Sequence, residues 1–228
     1  MLPAARPSGF RLGSIAGTAI YVEVSFLILM GLFVILDIER GIPMHRALLW
    51  IPILLLSVLF HELGHAALIA SFGFGASTIV LGGFGGVTVN RRQTVPWKEI
   101  VISLAGPAFS ILLAILLTLL WRGVPAMHGD PMLAALIPLT VLANGVWAVF
   151  NLVPIFPLDG GQALHNLGRF FLAERKAALV SIGVSMVVGG AVLVFALFQA
   201  WFFLAIVAAM LLMQNFQRWQ AWRSGIVP

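Results

Sequence analysis

The chain has 228 residues, of which 61% are hydrophobic and only 9% are charged. A soluble globular domain carries about 25% charged residues, so this composition excludes an ordinary soluble protein and is typical of one embedded in a membrane. Cysteine is absent, which excludes disulfides and thiolate metal ligands. The net charge of +5 comes from dispersed basic residues. We interpret it as a sign of membrane topology and expect no nucleic-acid partner.

Six apolar stretches predict membrane-crossing helices. They cover residues about 21–36, 47–72, 100–121, 132–152, 178–197 and 199–214. The last two are separated near Gln199, because one helix over 177–213 would be about 55 Å long and the hydrocarbon core is about 30 Å thick. We therefore expect an all-α polytopic membrane protein with a single domain over 1–228. Residues 15–24 are interpreted as a short strand or an interfacial segment, and we expect no removable signal peptide.

The connection over residues 73–99 has a different composition. Glycines alternate there with the β-branched runs Ile79-Val80-Leu81 and Val87-Thr88-Val89. This pattern predicts a β-hairpin-like loop between the second and third spans. The loop is too apolar for a solvated linker, so we expect it to be associated with the membrane, against protein or a water-filled cavity.

The second span contains the sequence Phe60-His61-Glu62-Leu63-Gly64-His65. On a helix, positions four apart lie on one face, so both imidazoles can reach one metal ion. The glutamate lies close enough to contact a water on that ion. This is the arrangement of zinc peptidases, in which the metal acidifies a water and the glutamate takes its proton.

A catalytic zinc usually has three protein ligands and one open position, and the two histidines supply only two of these ligands. Of the eight acidic residues, Asp159 is the candidate that combines a position near the membrane with a helix-broken, glycine-flanked backbone. We interpret Gly160 and Gly161 as residues that let the chain turn sharply there. A simple turn-forming role for Asp159 is the alternative.

The distribution of basic residues predicts orientation. One set of loops and both termini hold Arg6, Arg11, Arg91, Arg92, Lys98, Arg169, Arg175, Lys176, Arg218 and Arg223, and the opposite loops hold only Arg40, Arg46 and Arg122. We expect a multi-pass protein of the cell membrane with both termini and the opening of the site in the cytoplasm. Three further histidines, His45, His128 and His165, are not expected to bind the metal, and His165 is interpreted as a surface or interfacial residue.

Together with the histidine motif, the sequence Asn151-x-x-Pro154-x-x-Pro157-Leu158-Asp159-Gly160 resembles the site-2 proteases, membrane-embedded zinc peptidases that cut other membrane proteins. The resemblance covers residues 47–165 and includes the sequence Ala105-Gly106-Pro107. Within the family, the chain resembles the minimal six-span form, which lacks PDZ and CBS domains. One departure is Ser110, where the family often has asparagine.

The resemblance implies the role of each site residue. One Zn²⁺ per chain would be bound by His61, His65 and Asp159, with Glu62 as the general base. Asn151 would hydrogen-bond the substrate carbonyl or the developing oxyanion, with helix capping or packing as its alternative. An edge strand would bind an extended substrate segment. The substrate-binding residues implied are Gly82, Gly83, Gly85, Gly86 and Val87, with a mere connector as the alternative.

The function implied is intramembrane zinc endopeptidase activity on the transmembrane segments of single-span membrane proteins, as in regulated intramembrane proteolysis. The partners expected are that substrate, the lipid bilayer, and a second copy or a regulatory membrane protein. A metal-ion transporter or metal-regulated channel is the alternative, because intramembrane histidine and acidic groups also line ion pathways. A transporter is expected to have an inverted repeat, and none is found. An inactive relative is disfavoured by the intact Glu62.

Overall fold

The computed structural model describes residues 9–83, 85–90 and 94–224. Eight helices and four strands occur in this part of the chain, together with a short 3₁₀ helix at Pro125–Gly129. The strands are β1 (Phe10–Ile15), β2 (Thr18–Val22), β3 (Thr78–Gly82) and β4 (Gly85–Val89). The helices are α1 (Val24–Glu39), α2 (Met44–Ala47), α3 (Trp50–Ser71), α4 (Pro96–Gly123), α5 (Pro131–Leu152), α6 (Asp159–Gly168), α7 (Glu174–Phe198) and α8 (Phe202–Arg223).

Within the described ranges, five helical segments are long and apolar enough to cross a membrane. They are Met44–Ser71, which includes α3, and the helices α4, α5, α7 and α8. The expectation of a mainly helical multi-pass membrane protein is confirmed. The predicted break near Gln199 is also present, since α7 ends at Phe198 and α8 begins at Phe202.

The first predicted span, 21–36, is displaced in the structure. Tyr21 and Val22 belong to β2, where they pair with Val80 and Leu81 of β3. The N–H of Glu23 also donates to the Leu81 carbonyl at 2.9 Å, so the helix begins only at Val24. With 16 residues, α1 is about 24 Å long, which is shorter than the hydrocarbon core of about 30 Å.

The predicted hairpin-like loop is confirmed as β3 and β4, but it is part of a larger sheet. The strand order is β1-β2-β3-β4, in which β2 and β3 are parallel and the other two pairs are antiparallel. Residues 15–24 thus contain the end of β1, all of β2 and the first residue of α1, so the strand interpretation is confirmed. Among the described residues β4 lies at one edge of this sheet.

The chain divides into two compact units, which are described separately. The first contains the described residues of Met1–Arg92 together with Ala105–Ala148, and the second contains those of Gln93–Leu104 together with Val149–Pro228. The helices α4 and α5 each contribute residues to both units.

The core of the first unit lies between the sheet and the helices α1 and α3. Its buried apolar residues are Ile20, Val22, Phe26, Met30, Val58, Ala66, Ile79 and Leu81. The inward positions of β2 and β3 alternate along each strand, as the period of a β-strand requires. This core holds the sheet against the helix that carries the histidine motif.

In the same unit, α3 packs closely on α4 at Gly64. A Cβ atom at this position would lie 2.7 Å from the Ala105 carbonyl oxygen and 2.9 Å from the Phe109 ring. Real Cβ atoms do not approach carbonyl oxygens so closely, so α4 can lie here only because residue 64 is glycine. The glycine of the motif is therefore a helix-packing residue.

In the second unit, α7 and α8 hold the segment that precedes α6. The N–H of Phe156 donates to Ser185 Oγ on α7 at 2.9 Å, and the Phe156 carbonyl accepts a bond from Asn215 Nδ2 on α8 at 2.6 Å. Ser185 and Asn215 are fully buried. Both backbone groups of Phe156 are thus satisfied by side chains, which replace the hydrogen bonds that an irregular segment lacks.

We predict that Gly64→Ala lowers the melting temperature of the purified protein in detergent, because the added methyl group overpacks the contact between α3 and α4 at a cost of about 1–3 kcal/mol. The matched control is Gly31→Ala in α1, where a Cβ atom meets nothing within 4 Å. Alanine is favoured over glycine in a helix by roughly 0.5–1 kcal/mol, so this variant should melt at the same or a higher temperature. Equal melting of both variants would contradict the packing role.

Candidate metal centre and its surroundings

His61 and His65 lie on one face of α3, as their spacing predicts. Both residues are buried, with exposed fractions of 2% and 7%, and their Nε2 atoms are 3.3 Å apart. Two nitrogen ligands at about 2.0–2.1 Å from a tetrahedral zinc are separated by about 3.3 Å. The pair thus has the spacing that two ligands of one zinc ion require.

A glycine on α4 keeps space open beside these two nitrogens. A Cβ atom at Gly106 would overlap Nε2 of His65 and would lie 2.6 Å from Nε2 of His61. Any other residue at 106 would therefore fill the volume in front of both imidazoles. The Ala105-Gly106-Pro107 sequence lies within α4, which begins at Pro96.

Ser110, one helical turn further along α4, contacts the other nitrogen of His61. Its Oγ lies 3.1 Å from Nδ1 of His61, and the residue is fully buried. A hydroxyl that accepts the Nδ1 proton leaves Nε2 with its lone pair exposed, which is the tautomer that a metal needs. Sequence reasoning missed this role, because Ser110 was noted only as a departure from the family pattern.

Glu62 is buried beside the histidines and contacts β4. Its exposed fraction is 4%, and Oε2 accepts a hydrogen bond from Thr88 Oγ1 at 2.7 Å. A Cβ atom at Gly86 would overlap the Glu62 side chain. The carboxylate therefore lies against the inward face of β4, between a glycine and a hydroxyl. Thr88 was not among the residues expected at the site.

The remaining glycines of the loop 82–87 serve close packing. Gly85 has a φ of +119° and lies against the Trp147 ring, with no room for a side chain. Gly83 lies against Ser25 at the start of α1, and its N–H donates to Ser25 Oγ at 2.9 Å. Gly82 lies beside Glu23, where a Cβ atom would be 3.1 Å from the carboxylate. Only Val87 of the expected substrate-binding residues is largely exposed, at 61%.

In the second unit, Asp159 is the first residue of α6 and is buried. Carboxylates are favoured in the first turn of a helix, where the backbone N–H groups carry partial positive charge. Gly160 and Gly161 have ordinary helical backbones and are not a sharp turn. Cβ atoms on them would overlap backbone atoms of Leu152 and Phe156, so the glycines allow α6 to begin directly against the preceding segment.

Asn151 lies in the last turn of α5 and is buried, with an exposed fraction of 8%. It belongs to the second unit, like Asp159. The sequence between them holds Pro154 and Pro157, which end regular helix, as predicted.

Two of the other histidines, His128 and His165, have partners of their own. His128 Nε2 lies 2.8 Å from the Trp121 carbonyl. The side chain of His165 is 12% exposed and lies 3.1 Å from the Glu174 carboxylate, so the residue is half-buried. Burial, followed by the charge of Arg218, lowers the pKa of His165, which is therefore mostly neutral at pH 7.

Comparison with known proteins identifies a family and several relatives that the chain resembles. The model of peptidase family M50 matches residues 49–128, which contain α3, the strands β3 and β4, and all of α4. A relative from Synechocystis is 32% identical over 171 residues, covering 70% of this chain and 44% of its own length. A zinc metalloprotease from Methanocaldococcus jannaschii is 30% identical over 78% of this chain and 50% of its own length. The chain thus spans about half the length of these curated relatives.

The solved structure of the site-2 protease from Methanocaldococcus jannaschii matches with a TM-score of 0.67 and 25% sequence identity, over 92% of this chain and 94% of that chain. The likeness therefore extends through both compact units and beyond the region that the family model matches. The chain is therefore similar to peptidase family M50 in sequence and to a site-2 protease in fold, and the relatives that it resembles include zinc metalloproteases.

Proposed function

We propose that the protein is an intramembrane zinc endopeptidase that cleaves the transmembrane segments of membrane-protein substrates. The observation that carries this proposal is the pair of buried imidazoles with Nε2 atoms 3.3 Å apart, placed next to a buried glutamate in an apolar helix. Uncompensated polar side chains oppose membrane insertion, so their presence calls for a function.

The proposed ligands of a single Zn²⁺ are His61, His65 and Asp159. All three are buried, and their nitrogen and oxygen donors suit zinc in a chain that has no cysteine. When bound, the ion would polarise the scissile carbonyl and lower the pKa of a water toward about 7. We also propose that residues 1–228 act as one protease domain.

The protein residues would then handle the protons and the substrate. Glu62 accepts the proton of the attacking water and later donates it to the leaving amine. Asn151 donates a hydrogen bond to the substrate carbonyl, which stabilises the negative charge that develops on its oxygen. Ser110 holds His61 in the tautomer that presents Nε2.

The substrate would bind as an added strand along the free edge of β4. A peptidase needs its substrate in an extended conformation, and an edge strand supplies backbone hydrogen bonds to such a segment. Val87, one of two exposed valines of β4, would contact a substrate side chain. The substrates proposed are single-span membrane proteins, cleaved in regulated intramembrane proteolysis.

We propose that both termini and the opening of the site face the cytoplasm. Support comes from the excess of basic residues on one set of loops, to which Arg11, Lys98, Arg169 and Arg175 belong. Arg6, Arg91 and Arg92 of that count lie outside the described residues.

Glu62→Gln should abolish cleavage while zinc stays bound, because the amide cannot take a proton but does not disturb the ligands. We expect cleavage of a model single-span substrate in detergent to fall by a factor of about 10²–10⁴, with one zinc per chain retained. Asp159→Asn makes the same chemical change at a proposed ligand and should lose zinc. Glu39→Gln, at the exposed end of α1, is the control and should change neither quantity.

Zinc analysis by mass spectrometry, run beside the cleavage assay, checks both variants. Retained proteolysis in Glu62→Gln would contradict the general-base assignment, and full zinc in Asp159→Asn would contradict the ligand assignment. Zinc uptake into proteoliposomes with no cleavage by the unmodified protein would favour a transporter.

Ser110→Ala should weaken zinc binding by roughly 10–100-fold, because the Nδ1 proton of His61 loses the group that fixes its position. Titration of metal-free protein with zinc in the presence of a competing chelator measures this change. The matched control is Thr118→Val on the same helix, where the hydroxyl donates to the Ala114 carbonyl of α4 itself. The same zinc affinity in Ser110→Ala and the unmodified protein would refute the role.

A further inference from the structure

We propose that Thr88 is a positioning residue for the Glu62 carboxylate, so that β4 aligns the general base. This inference rests on the proposed function and deepens it. It is carried by the hydrogen bond from Thr88 Oγ1 to Glu62 Oε2 at 2.7 Å, between residues on β4 and α3 that are 26 positions apart.

The shorter of two contacts identifies the acceptor. Thr88 Oγ1 also lies 3.1 Å from the backbone carbonyl of Glu62, but a hydroxyl has only one proton to donate. A carboxylate oxygen is the stronger acceptor, and hydrogen bonds to charged groups are shorter and stronger than neutral ones. The distances agree with donation to Oε2. The carboxylate and the backbone of the same residue are thus both within reach of one side chain.

The neighbouring strand residue restricts the carboxylate further. Gly86 and Thr88 lie on the same face of β4, whereas Val87 and Val89 are exposed on the other. The Glu62 side chain occupies the space that a Cβ atom at Gly86 would need. The carboxylate therefore has the strand backbone on one side and the threonine hydroxyl on another, which limits the rotamers of an otherwise flexible side chain.

This arrangement links the base to the strand proposed to bind substrate. A general base must lie within hydrogen-bond reach of the proton that it accepts, so a small displacement of its carboxylate lowers the rate of proton transfer. Thr88 fixes that carboxylate from β4. A substrate segment paired along β4 would fix the position of the strand. Through Thr88, the strand would in turn fix the Glu62 carboxylate relative to the scissile peptide bond.

Thr88→Val removes the hydroxyl and keeps a β-branched side chain of similar shape. We expect kcat to fall about tenfold, with KM within twofold of the unmodified value and zinc content unchanged. Thr88→Ser keeps the hydroxyl and should stay within threefold of the unmodified kcat. Thr78→Val, which removes a hydroxyl from β3, is the control and should leave both constants unchanged. A kcat that is unchanged in Thr88→Val, or equally low in Thr88→Ser, would overturn the proposal, as would a loss confined to KM.

A second measurement needs no catalysis. In metal-free protein, Thr88→Val alone should lower the melting temperature by about 3 °C. Added to the Glu62→Ala variant, the same substitution should lower it by less than about 1 °C. Equal shifts in the two backgrounds would show that the hydroxyl does not bond the carboxylate and would overturn the proposal. If the unmodified protein cleaves no substrate but the coupling is found, the proposed function fails while the contact between Thr88 and Glu62 stands.

Discussion

The structure of this site depends on one packing constraint, which is that α4 carries no side chain where it passes the two imidazoles. Gly106 leaves open the volume in front of His61 and His65, and Gly64 lets α4 approach α3 closely enough for that volume to be enclosed. Polar nitrogens in an apolar helix are costly unless they have partners. Ser110 is one of these partners, because the close approach of α4 to α3 brings its hydroxyl within 3.1 Å of His61 Nδ1.

The sheet has a comparable effect on Glu62. Its inward residues on β2 and β3 pack into the core with α1 and α3, and this packing places β4 along the motif helix. The strand then contacts the glutamate through a glycine and a threonine. Among the described residues the same strand lies at the edge of the sheet, and Val87 and Val89 are exposed on its opposite face. A strand that is fixed on one side and open on the other suits the binding of an extended chain next to a reactive group.

Much of this architecture could be predicted from local sequence. Hydropathy identifies the long helices, and the i, i+4 spacing identifies the imidazole pair. What could not be predicted depends on contacts between distant residues. The start of α1 is set by pairing of Tyr21 and Val22 with β3, a partner more than fifty residues away. Ser110 and Thr88 carry no motif of their own, and their roles appear only when α4 and β4 are placed beside α3. Gly160 and Gly161 were correctly singled out, but close backbone contact and not a turn explains them.

The bonds that Phe156 makes with Ser185 and Asn215 bear on how the second unit can move. Since one bond comes from α7 and the other from α8, neither helix can swing outward without uncovering a backbone group of the segment that leads to Asp159. Such exposure is expensive in a lipid environment, where no water replaces the lost partner. The last two helices therefore stabilise the segment that leads to Asp159, and we expect them not to move independently of it.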